Sequence, residues 1–109
     1  MDKETIMDEP RRIGRKVWCH MTSNDINTLH EIAKHIGLKR EWFQDKPGHP
    51  HYDISTNSKR TLAAQLGVKL VTRRQYLLKV IEWHRKPDEF PNQLAIRPIK
   101  LYEDKNKDG

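Results

Sequence analysis

Ile26, Leu29, Ile32, Ala33 and Ile36 recur at the spacing of one helical face, and Gly37 follows them directly. Such a stripe has to be buried, and Thr22, Ser23 and Asn24 before it offer capping oxygens for the first turn. What precedes it is no second helix. Residues 16–21, reading Lys-Val-Trp-Cys-His-Met, form an apolar run too brief for a helix and suited to a buried strand. A strand followed by an amphipathic helix points to the α/β class if the pattern returns, and it does. Leu62, Ala63 and Leu66, stopped by Gly67, predict a helix over residues 58–66, with Asp53, Ser55, Thr56 and Asn57 as available caps. Residues 68–71 read as a second core strand. Thr72 caps a third helix in which Tyr76, Leu77, Val80 and Ile81 repeat, with Trp83 and His84 near its end and Pro87 beyond. The predicted fold is a small α/β sandwich in the order strand-helix-loop-helix-strand-helix, with a short central parallel sheet crossed right-handedly. Residues 94–102 alternate enough for a C-terminal edge strand, where Pro98 is tolerated.

At 109 residues, with 35% hydrophobic and 33% charged residues, the chain has room for a single core. That domain is expected over residues 15–102. Residues 1–14 mix acids and bases without periodicity, and Pro10, Arg11, Arg12 and Gly14 do not begin a helix, so they predict a flexible amino arm. Residues 103–109 make a charged tail. The single cysteine, Cys19, has no internal disulfide partner and suits a small buried hydrophobe in a reducing compartment. No apolar run has the length of a membrane span, and the charged start lacks the apolar centre of a signal peptide. The expected location is therefore cytoplasmic, without membrane contact. A net charge of +6 favours an anionic partner, either a nucleotide-like small molecule or a nucleic acid, and leaves oligomeric state open.

Residues 40–60 hold the densest chemistry. Pro47, Gly48 and Pro50 break regular structure there, which predicts a loop pinned by Trp42 and Phe43 on one side and Ile54 on the other. His49, His51 and Asp53 alternate, so an extended segment sets all three on one side, and His20 and His30 are available from elsewhere. Imidazole and carboxylate together can bind a divalent metal or act as acid and base toward a phosphoester, although the spacing is weakly specific and ligand hydrogen bonding is the preferred reading. Tyr52, between polar neighbours, reads as a stacking contact. Trp42 and Phe43 read as anchors to the core. Lys59 and Arg60 open the second helix and Arg73 and Arg74 the third. Cations at a helix amino end oppose its partial positive charge by about 0.3–1 kcal/mol each, and a bound phosphate would explain them. Long side chains turned into water explain them equally simply. No Walker loop, dinucleotide-binding glycine pattern or paired-cysteine zinc motif is present.

Several of these residues fall in an order and spacing that resemble a known family. Trp18-Cys-His-Met21, Leu29-His30, residues 37–44 (Gly-Leu-Lys-Arg-Glu-Trp-Phe-Gln), His51-Tyr-Asp-Ile54, Ser58-Lys-Arg60, Leu66-Gly-Val68 and Thr72-Arg-Arg74 are similar to the small bacterial and phage proteins of domain of unknown function 4031. The likeness runs over residues 17–81. The acidic strand that family members carry before the Cys-His-Met run is not evident in this sequence. The resemblance implies a site drawn from His20, His30, Arg40, Gln44, His51, Tyr52, Asp53, Lys59 and Arg60, and it implies no activity. Function therefore rests on the residues. They favour a non-enzymatic binding domain, without metal or cofactor, for a nucleotide or nucleotide-derived signal. In a phage this would be sequestration of a host signal. The alternatives are a phosphoesterase or nuclease using His20, His51 and Asp53, with or without a divalent metal, and a nucleic-acid-binding protein.

Overall fold

The longest strand, β3 (Lys16–Ser23), organises the sheet in the computed structural model, which describes residues 2–85. Along one edge it pairs antiparallel with β5 (His49–Ile54), matching Cys19 with Ile54, His20 with Asp53 and Met21 with Tyr52. Along the other edge it pairs with two short strands in succession. β1 (Thr5–Met7) lies against residues 21–23, and β2 (Arg11–Ile13) lies against residues 16–18. The outer strands are β4 (Gln44–Lys46), antiparallel to β5, and β6 (Lys69–Leu70), parallel to β1. The main path is β4-β5-β3-β1-β6.

Alternation along these strands divides two cores between the two faces of the sheet. One face carries Met7, Cys19, Met21, Tyr52 and Ile54 against α1 (Ile26–His35) and α2 (Asn57–Gln65), which contribute Leu29, Ala33 and Ala63. The other carries Ile6 against Tyr76 and Val80 of α3 (Arg73–His84). Caps fix where the helices begin. Asp25 accepts from Thr28 N, Thr56 from Lys59 N, and Thr72 with Gln75 forms a reciprocal capping box. α1 stops as read, because Gly37 takes φ 91° and lets Leu38 N donate to Ala33 O at 2.8 Å.

The α/β class holds, with three α-helices on a mixed sheet among the described residues, and three details differ from expectation. The parallel pair is β1 with β6 at the sheet margin, whereas residues 16–21 have antiparallel neighbours only. The amino arm expected to be flexible is instead two strands, and Thr5, Ile6, Met7 and Asp8 are buried. A three-residue strand shows no readable period; its stability comes from pairing with β3 far along the chain. The expected loop contains a 3-10 turn, Arg40–Trp42, and the β4–β5 hairpin. Pro47 and Gly48 are its two-residue connection, with Gly48 at φ 80°. The edge strand expected at residues 94–102 and the charged tail lie outside the described residues.

Candidate functional site

The register of β3 against β5 sets His20 beside Asp53, and the two-residue period of β5 brings His51 to the same face. β1 ends where the chain delivers Asp8, only 2% exposed, to the other side of His20. Asp8 Oδ2 lies 2.8 Å from His20 Nδ1, Asp8 Oδ1 accepts from His20 N at 2.7 Å, and Asp8 N donates to His20 O at 3.2 Å. His51 Nδ1 lies 2.8 Å from the His49 carbonyl oxygen. A carbonyl can only accept, and the Asp8 carboxylate accepts, so both imidazoles carry a proton on Nδ1. Their Nε2 atoms are thereby turned on Asp53, at 3.9 Å for His20 and 3.4 Å for His51, both measured to Oδ1. Gln44 donates to the other Asp53 oxygen and fixes the carboxylate plane.

Electrostatics reinforces this arrangement. Burial pushes the Asp8 and Asp53 carboxyls up, but hydrogen bonds from His20 to Asp8, and from His51 and Gln44 to Asp53, leave both below the usual carboxylate range. The hydrogen bond to Asp8 raises His20 against the opposing effect of burial. His49 behaves differently. Its ring stacks on His51 at 4.0 Å, and burial, followed by the charges of His51 and His20, lowers it to about 4. Burial pushes the Tyr76 hydroxyl up, so it stays a donor, and His49 Nε2, 2.8 Å away, accepts from it. His49 is thus a neutral wall beside the ionised pair.

α3 leaves the β2 end of this sheet face uncovered. A hollow of about 470 Å³ opens there, bounded by Asp8, Arg11, Trp18, His20, Asp53 and Arg73. A second, of about 380 Å³, is bounded by Lys16, Trp18, Trp42, Gln44, Asp53 and Lys59.

Of the residues expected at the site, His20, Gln44, His51 and Asp53 converge, Arg73 joins them, and Lys59 lines the second hollow. His30, Arg40 and Tyr52 do not join this cluster. They border a third hollow of about 500 Å³ on the helix-covered side. Tyr52, read as a stacking contact, is 1% exposed in the core, and its hydroxyl is 2.9 Å from His30 Nδ1. Trp42, read as an anchor, is 47% exposed. The helix-start cations also separate. Arg60 donates to Val17 O at 3.1 Å and to Asn57 Oδ1, binding α2 to β3. Arg74 is exposed. The anion at the start of α3 is the chain's own Glu9, whose Oε1 accepts from Arg73 N at 3.2 Å. Cys19 packs in the core as expected, with burial first among the causes that push its thiol up to about 12.

Asp8, Glu9 and Arg11 escaped the sequence reading. The signal for them was the pair of acids directly after the apolar Ile6-Met7, at the end of what proves to be a strand.

The fold and site together define a small α/β domain with a histidine–carboxylate cluster on a half-covered sheet face. The chain belongs to the DUF4031 family, described as protein of unknown function, whose sequence model matches residues 6–82. That span begins inside β1 and takes in Asp8 and Glu9 just after the strand's end. No curated protein and no solved structure matches the chain. Among the described residues no helix is long and apolar enough to cross a membrane.

Proposed function

We propose that this domain hydrolyses phosphoesters with the help of a divalent transition metal. The observation that carries the reading is the convergence of His20, His51 and Asp53, each able to offer one ligand atom within 4.8 Å of the others, with both Nε2 atoms facing Asp53 Oδ1. With both Nδ1 atoms committed to Asp8 and the His49 carbonyl, the Nε2 atoms of His20 and His51 both face the Asp53 carboxylate. A metal cation there would take the place of a proton between imidazole and carboxylate. Two imidazoles and one carboxylate suit Mn²⁺, Fe²⁺, Co²⁺, Ni²⁺ or Zn²⁺ better than Mg²⁺ or Ca²⁺, which prefer all-oxygen sites. Three protein donors leave positions for water and substrate, the arrangement of catalytic metal centres.

A metal held by His20, His51 and Asp53 would supply Lewis-acid chemistry there, acidifying a water and polarising a phosphoryl oxygen. The water oxygen forms the new bond to phosphorus as the ester P–O bond breaks. The water proton passes to solvent, and the leaving alkoxide takes one up. Arg11 and Arg73, bordering the same hollow, offset the charge that builds on the phosphoryl oxygens.

The test joins metal titration of the chelator-treated protein to hydrolysis of a small phosphodiester. One metal per chain and metal-dependent turnover are expected, with His51→Ala and Asp53→Ala each losing at least about 100-fold in turnover. A phosphodiester left intact across the transition-metal series would remove the hydrolase. Binding of an intact nucleotide in its place would favour a non-hydrolytic role, a reading that Arg11 and Arg73 also support.

A further inference from the structure

We propose that the two hollows are one groove for single-stranded nucleic acid, crossing the cluster at Asp53. This names the substrate class of the hydrolase proposed above and rests on that reading for its chemistry, although binding itself requires no metal. The hollows share Trp18 and Asp53 as bounding residues, so they adjoin at the edge of the cluster. Their floor is the stretch of sheet that α3 leaves open, where Lys16, Trp18 and His20 follow one another on one side of β3.

Charge and aromatic character both follow the groove. Arg11 and Arg73 border one hollow together with Glu9, whose carboxylate accepts from Arg73 N; Lys16 and Lys59 border the other, and the buried Asp8 and half-buried Asp53 lie at the cluster. That sequence of charges fits a chain of phosphates with one diester at the cluster and its neighbours flanking it. The outer aromatic surface is Trp18, half-buried, and Trp42, 47% exposed. Each has a lysine ammonium close to its ring, Lys16 at 5.8 Å and Lys39 at 5.6 Å. Indole faces flanked by cations stack unpaired bases without regard to sequence, whereas a duplex keeps its base faces inside. The groove therefore selects single strands over duplex, and oligonucleotides over mononucleotides.

Fluorescence anisotropy of the full chain in chelator, with labelled twelve-residue oligodeoxythymidine and oligouridine, tests this apart from any metal. At least one of the two should bind about tenfold or more tighter than a duplex of equal length or thymidine monophosphate. Its salt slope should be about 2–3, from four cations at about 0.7 each. Trp18→Ala should weaken binding about tenfold, Trp18→Phe should restore most of it, and Lys16→Glu with Lys59→Glu should lower the slope by about one or more. Equal affinity for mononucleotide or duplex, or variants that bind like the parent, would overturn the groove. Hydrolysis of a small diester alongside failed oligonucleotide binding would reject the groove and leave the hydrolase standing. Tight oligonucleotide binding with no hydrolysis would do the reverse.

Discussion

On β3 and β5 the side chains of Cys19, Met21, Tyr52 and Ile54 meet α1 and α2, while those of His20 and Asp53, one residue out of step, meet a hollow, with the buried His51 beside them. Met21, Ile54 and Tyr52 are at most 1% exposed, within a buried hydrophobic cluster. The opposite face holds two carboxylates and three imidazoles within a few ångströms, partly roofed by Tyr76. The same backbone hydrogen bonds support both. Stability and chemistry are therefore divided by the two-residue period of the strand, and a register slip of one residue would exchange them. The helix-covered face fixes the register; the register then sets His20 opposite Asp53.

The largest effect expected from this division is on the helix-covered face. Ile54→Ala opens a cavity under α1 and α2 and should cost about 2–5 kcal/mol in urea denaturation. Metal affinity of the folded fraction should stay within about threefold of the parent, a shift below 1 kcal/mol. If Ile54→Ala abolished metal binding while remaining folded, the two faces would not be separable.

A smaller effect is expected at Asp8. Asp8→Asn can still accept from His20 N, but its amide cannot accept from His20 Nδ1, so the ring loses the contact that turns Nε2 on Asp53. Loss of such a support lowers metal affinity by about 10–100-fold. Isothermal titration with Zn²⁺ or Mn²⁺ would measure it. Unchanged affinity with undiminished stability would mean that Asp8 does not orient the site.

How much of this was legible in the sequence depended on distance along the chain. The stripe and Gly37 stop of α1 were legible because both are local, although its cap is Asp25 rather than Thr22, Ser23 or Asn24. The grouping of His49, His51 and Asp53 on one side was legible for the same reason, as a local consequence of strand period. Asp8 was not. Its meaning comes from a strand of three residues whose partner begins nine positions after it, and the pair of acids after Ile6-Met7 becomes a signal only once that strand is known. Arg60 misled for a related reason. From sequence it is a cation at a helix start, and only the packing of α2 on β3 brings the Val17 carbonyl to it. Tyr52 has polar neighbours on both sides, which says little about the face it occupies itself.

The smallest expected effect concerns the neutral wall of His49 between the ionised cluster and Tyr76. Folding lowers His49 to about 4 from its ordinary value of 6.5, so between those values the unfolded chain binds a proton that the folded chain refuses. Stability should therefore fall as pH drops from 6.5 toward 4. His30 and His84, also lowered chiefly by burial, act in the same direction. His20, raised by Asp8, opposes them: its contribution is fully present below 6.5 and is lost as pH rises through its folded value. The lowered Asp8 and Asp53 give up their contribution only as pH falls below the ordinary carboxylate range and through their folded values, so the histidines govern the window above it. His49→Gln keeps an acceptor for the Tyr76 hydroxyl and removes the titration. Its stability at pH 7 should lie near the parent's. The loss on acidification to pH 4.5 should be smaller by about 1–2 kcal/mol, after allowing for the half-exposed ring. Parallel stability curves for the two proteins would show that His49 is protonated at no cost. The stack of His49 on His51 would then be no barrier between the ionised cluster and the Tyr76 core.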